Sequence, residues 1–113
     1  MEKCVQEQSL QLAKKLIEEK FDEKISQEFL CKKTGLNNYK LKTGFKKLFG
    51  VSIREYQMQL KMEHAKKLLI TTNEKISSIA FSLGYEHADN FSLEFTRRIG
   101  VNARAWRKAQ LRQ

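Results

Sequence analysis

At 113 residues the chain is the size of one compact domain, long enough to bury a core without help from a metal or a disulfide. Hydrophobic residues at 41% and charged residues at 31% give no reason to expect disorder, while the absence of Pro and the supply of Lys, Leu, Glu and Gln predict helices and no sheet. Its 22 Lys and Arg against 13 Asp and Glu leave a net charge of +9, which points to a polyanionic partner but by charge alone equally to a merely soluble basic protein.

In chain order, Leu10, Ala13, Leu16 and Ile17 predict an amphipathic helix ending near Phe21, with the residues before Gln8 frayed. Ser26 to Thr34 reads as a short helix with Ser26 as N-cap, followed by a turn at Gly35. Asn38 to Phe49 is a second helix, with Asn37 better read as its N-cap than as a base-reading side chain. Ile53 to Ile70 carries Ile53, Tyr56, Leu60, Ala65, Leu68 and Leu69 near the helical period and predicts one long helix of roughly 27 Å at about 1.5 Å per residue. Thr71 to Lys75 is a short polar connection with Asn73 as a turn residue. Beyond it come a short helix from Ser77 to Leu83 with Ser77 as N-cap, a turn at Gly84, a helix ending before Gly100, and a last helix over Asn102 to Gln110 anchored by Trp106.

The segment from Thr34 to Ser52 repeats in the segment from Leu83 to Asn102. Gly35-Leu36, Leu41, Phe45, Phe49, Gly50, Val51 and Ser52 answer to Gly84-Tyr85, Phe91, Phe95, Ile99, Gly100, Val101 and Asn102. Leu41 with Phe45 and Phe91 with Phe95 are i,i+4 pairs on one helix face, and the Gly after each helix suits a left-handed C-terminal cap. Each copy is thus helix, Gly-containing turn, helix, the pattern in which a short first helix braces a second against a DNA groove.

With these residues in view, the chain from about Leu10 to Lys108 resembles the DNA-binding domain of the AraC/XylS family of bacterial transcription regulators. The resemblance rests on Thr34-Gly35-Leu36, on Phe45 through Ser52, on Glu55-Tyr56, on Lys61 through Leu69, on Ile76 through Ala80, on Leu83-Gly84-Tyr85, and on Phe91-Ser92 through Gly100-Val101. It implies an all-α fold of about seven helices, in which two helix-turn-helix subdomains (8–52 and 72–110) are joined by a long linker helix (53–71). It also implies sequence-specific binding of double-stranded DNA, with the two recognition helices in successive major-groove segments. The chain departs from the family at Ala103 and Trp106, where Pro and Tyr are usual, at Gln27 and Phe29, and at Leu93, where the second recognition helix usually bears Arg.

A helical wheel assigns the contacts. In the first recognition helix Leu41, Phe45, Leu48 and Phe49 face inward, while Tyr39, Lys42, Thr43 and Lys46 face the groove, with Asn38 and Lys47 alongside. Tyr39 suits thymine methyls or phosphate, Lys42 the O6 and N7 of guanine, Thr43 either kind of partner, and Lys46 phosphate. In the second helix Phe91, Phe95 and Ile99 face inward, leaving Asp89, Asn90, Leu93, Thr96 and Arg97 outward with Ala88 and Ser92 at the flank. Asp89 suits cytosine N4 or simply the helix dipole, Arg97 suits phosphate, and Leu93 suits thymine methyls, a protein partner or plain exposure. The starts of the bracing helices at Ser26 and Ser77, together with Arg54, Lys47, Arg98 and Arg104, complete the expected phosphate contacts. The first unit is expected to supply most of the base readout.

Other classes find little support. Cys4 and Cys31 are far apart without His or Cys at ligand spacing, so no metal site, disulfide or cofactor is expected, and Cys31 reads as a small core residue of a reduced cytoplasmic protein. No apolar run approaches ~18 residues and no signal peptide opens the chain, so no membrane is expected. No catalytic constellation points to an enzyme. The alternative is a helical interaction module that meets an acidic protein or RNA polymerase, through Leu93 and the solvent side of the linker helix. A separate effector or dimerisation domain, of the kind the family often carries, is missing from this chain, which is read as either a small stand-alone regulator, an activator by family habit, or a part of a longer one.

Overall fold

The computed structural model describes residues 2–111, with side chains from Gln6 onward, so the Cys4 side chain lies outside the described residues. Among them are seven helices and no strand: α1 (Glu2–Lys20), α2 (Gln27–Thr34), α3 (Asn38–Phe49), α4 (Ile53–Thr71), α5 (Ile76–Ser82), α6 (Ala88–Ile99) and α7 (Ala103–Leu111). The all-α architecture of two helix-turn-helix units with a long helix between them is as expected from the sequence. α1 runs from Glu2, six residues ahead of Gln8. A helix nucleated over Leu10 to Ile17 extends backward at little cost through residues such as Gln6 and Glu7.

The chain divides into two compact units between Leu60 and Lys61, inside α4. In the first, Leu10, Ala13 and Ile17 of α1, Leu30 of α2, and Leu41 and Phe45 of α3 form one buried cluster. The N-terminal half of α4 closes it: Tyr56 lies 5.9 Å from the Phe45 ring and its hydroxyl donates to Glu18 Oε2 at 2.8 Å. Gln57 Nε2 donates to the carbonyls of Phe21 and Glu23, each at 3.0 Å, satisfying acceptors just past the end of α1.

The second unit repeats this plan. Met62, Ala65 and Leu69 from the C-terminal half of α4 are buried with the same 3,4 spacing as Leu10, Ala13 and Ile17, as are Ile79, Ala80, Leu83, Phe91, Phe95 and Ala103. Trp106 of α7 stands 6.0 Å from the Phe95 ring, as Tyr56 does to Phe45. Arg107 takes the place of Gln57, donating to the carbonyls of Leu69 (2.8 Å), Glu74 (2.8 Å) and Thr72 (3.2 Å) where α4 ends. The duplicated element is therefore larger than a helix-turn-helix. It holds a supporting helix, two helices of the motif and a closing helix, and α4 serves as closing helix of the first unit and supporting helix of the second.

Four of the seven helices start on a side-chain cap. Ser26 Oγ accepts from the Phe29 N–H (3.0 Å), Asn37 Oδ1 from Lys40 (2.8 Å), Ser52 Oγ from Glu55 (3.1 Å) and Asn102 Oδ1 from Ala105 (2.7 Å). The expectation for Ser77 is corrected: Lys75 is the N-cap of α5, with no side-chain cap, and Ser77 lies inside the first turn. Counting back from the two turn glycines, Lys75 rather than Ser77 answers to Ser26, and the burial of Ile79, Ala80 and Leu83 holds α5 without a cap. Gly50 and Gly100 close the two recognition helices at φ 80° and 98°, a region that a residue with a Cβ enters only at a cost.

Candidate nucleic-acid interface

α3 and α6 each bury one stripe and leave the other in solvent. On α3, Leu41 and Phe45 are fully buried, and Asn38, Tyr39, Lys42, Thr43, Lys46 and Lys47 are all exposed, Tyr39 by 75%. Leu48 departs from its inward assignment, being 39% exposed. It sits at the margin of the packed stripe, on a shallow groove shared with Gln6, Glu7, Leu10 and Gly44. Gly44 lets α1 lie close against α3, because a Cβ there would come within 3.0 Å of a Leu10 methyl. Cys31 is half-buried, packed against the edge of the core cluster, and its thiol also donates to Asn38 Oδ1 at 3.4 Å, which ties α2 to the start of α3.

Lys42, Thr43 and Lys46 do not stand alone. They line one concave notch with Gln27 at the start of α2 and with Ser52, Ile53 and Arg54 at the start of α4. Three cations thus converge beside the first turns of two helices whose dipoles favour negative charge. The Thr43 hydroxyl donates to the Tyr39 carbonyl at 2.7 Å, so its proton is taken within the helix. No acidic residue lies anywhere on α3.

The equivalent notch of the second unit is lined by Ile76, Ser92, Asn102, Ala103 and Arg104. Arg104 is its one cation, at the place Arg54 holds in the first unit, a correspondence visible in the sequence only once both repeats are extended past their closing glycines. On α6, Phe91 and Phe95 are buried, Ala88 and Ser92 are half-buried, and Asp89, Asn90, Leu93, Thr96 and Arg97 are exposed. The Thr96 hydroxyl donates back to the Ser92 carbonyl at 2.8 Å. Arg98 is drawn inward: its Nε lies 2.6 Å from Glu94 Oε1 and its side chain is only 25% exposed, so it is less open to phosphate than the sequence suggests. Arg97 remains 78% exposed although Glu94 is 3.7 Å away.

Two tyrosines are locked into the supporting structure instead of the interface. Burial, then the hydrogen bond and charge of Glu18, push the Tyr56 phenol up to about 12. Burial and then the charge of Glu94, opposed by Arg98, raise that of Tyr85 to about 12, and the Lys61 ammonium sits 4.7 Å from the Tyr85 ring centre. Among the described residues no group of three or more His, Cys, Asp and Glu is placed to hold a metal ion, and no helix is long and apolar enough to cross a membrane.

Residues 30–109 match the model of a family described as a helix-turn-helix domain. The chain is 35% identical over 81 residues to the HTH-type transcriptional activator RhaR of Klebsiella pneumoniae subsp. pneumoniae, covering 72% of this chain and 29% of that protein. It is 38% identical over 82 residues to RhaR of Yersinia pseudotuberculosis serotype O:1b, covering 73% and 28%. The chain thus spans under a third of the length of these curated relatives. Among solved structures, the C-terminal domain of the two-component response regulator yesN from Fusobacterium nucleatum superposes with a TM-score of 0.80 at 32% identity, covering 86% of this chain and 95% of that one. The DNA-binding domain of AdpA, solved in complex with a target DNA, has the same fold, with a TM-score of 0.81 at 20% identity over 88% and 90% of the two chains. A family match across most of the chain, together with two helix-turn-helix units in a seven-helix fold, makes this protein a member of the AraC/XylS family of helix-turn-helix regulators.

Proposed function

We propose that the chain binds duplex DNA in a sequence-specific manner and serves as the DNA-reading part of a bacterial transcription regulator, with α3 and α6 entering successive major-groove segments. The observation that carries this reading is the convergence of Lys42, Lys46 and Arg54 on one notch beside the exposed face of α3. Lys46 and Arg54 at that place meet phosphate, and the neighbouring Tyr39, Lys42 and Thr43 meet base edges. The names of its relatives, transcriptional activators among them, and the target DNA bound by AdpA support the same reading. The division of labour follows from charge: the first unit supplies most base readout, and the second contributes positioning through Arg97 and Arg104 with a modest preference of its own. The cytoplasm, where bacterial DNA lies, is the compartment this role requires.

An effector or dimerisation domain elsewhere in a longer protein, and contact with RNA polymerase, belong to the same proposal, since the relatives are more than three times as long as the matched segment. Selection of bound duplexes from a random library tests it. The expected product is a bipartite motif with half-sites about 10 to 10.5 bp apart. Recovery of no motif, or of one short half-site alone, removes the two-unit reading.

A further inference from the structure

Leu93 is a large apolar side chain, 66% exposed, at the middle of the outward face of α6. Its neighbours one turn away on that face are Asp89, Asn90, Thr96 and Arg97, all exposed and all polar. A lone leucine ringed by polar groups is too small a surface for a protein-docking patch. It is the right size for one methyl group.

The duplication supplies a second, independent observation. Counting from Gly50 and Gly100, Leu93 occupies the position that Thr43 holds on α3, and there the hydroxyl is turned back to the Tyr39 carbonyl. Both recognition helices therefore offer aliphatic carbon at the same step of the same face. In the major groove the one aliphatic group that a standard base pair displays is the C5 methyl of thymine.

We propose that Leu93 is a specificity-determining residue that seats the C5 methyl of a thymine, so that the second unit selects thymine at one position by apolar contact. This rests on the DNA-binding reading above. A methyl buried against a leucine is worth roughly a fourfold change in affinity, from the transfer value of about one methylene. The preference is thus narrower than what a bidentate hydrogen bond gives, consistent with a second unit that tunes binding set mainly by the first.

The test replaces each thymine of the selected duplex singly by deoxyuridine, which removes the methyl and nothing else, and measures affinity by fluorescence anisotropy at one salt concentration. For the unaltered protein, one thymine in the half-site of the second unit is expected to cost about fourfold on demethylation. For Leu93→Ala that cost vanishes, while circular dichroism confirms the fold, since the side chain supports no core contact. Affinity of the unaltered protein independent of every thymine methyl in that half-site, or a methyl effect that persists in Leu93→Ala, overturns the assignment while leaving DNA binding intact. Full DNA affinity in Leu93→Ala together with lost retention of purified RNA polymerase overturns it in favour of a protein contact. Failure to select any duplex sinks the underlying reading instead, and this one with it.

Discussion

The two units share a frame and differ on their surfaces. Leu10, Ala13, Ile17, Phe45 and Tyr56 in the first find counterparts in Met62, Ala65, Leu69, Phe95 and Trp106, at matching helical positions and similar ring distances. The notch beside the recognition helix instead keeps Lys42, Lys46 and Arg54 in one copy and a lone Arg104 in the other. The comparison teaches that packing has constrained the duplicated cores, whereas the exposed faces have been free to take different chemistry.

The strongest way to break it is at the paired phenylalanines. Phe45→Ala and Phe95→Ala should each lose ~3–5 kcal/mol in denaturant unfolding, the usual cost of an aromatic cavity. Hydrogen exchange should quicken mainly in the unit that carries the change; uniform quickening along the chain would mean the two units unfold as one.

Next in size are the closing-helix caps. Arg107→Ala leaves three carbonyls without their charged donor and should cost ~1.5–3 kcal/mol, while Gln57→Ala, losing a neutral amide shared by two carbonyls, should cost ~0.5–1.5 kcal/mol. Equal losses in thermal unfolding would show that the extra charge of Arg107 contributes nothing.

The surfaces are compared by binding. Lys42→Ala should weaken binding to the selected site by ~1–3 kcal/mol with relaxed discrimination at one base pair, and Lys46→Ala should lower the slope of log affinity against log salt by about 0.9. Asp89→Ala in the second unit should change affinity less than either. A greater loss of discrimination there would reverse the division of labour.

The last effect is alkaline. Tyr56 and Tyr85, one in each unit, have phenols raised from 10.0 to about 12, so the neutral form is favoured by the fold. Their contribution is fully present below pH 10 and is lost as pH rises toward 12. The denaturant midpoint should fall over that window, and Tyr56→Phe should remove only the part belonging to the first unit.

The sequence by itself determined the helices and their order. Period, capping residues and glycine stops are local signals, and Asn38–Phe49 and Ala88–Ile99 stand where Asn37, Gly50 and Gly100 put them. The exposed side of each of these helices was legible for the same reason, since i,i+4 pairs such as Leu41 with Phe45 fix which face is buried. Tertiary structure decided what depends on residues distant along the chain. Arg107 finds its acceptors 33 to 38 residues away, and Lys42 and Arg54 come to line one notch built by three helices. Ser77 shows the boundary between the two: as a residue type it suits a cap, but the burial of Ile79, Ala80 and Leu83 sets the start of α5 one residue before it. Local propensity is worth about 1 kcal/mol per cap, and a buried leucine or isoleucine about two to three times that, so packing prevails where they disagree.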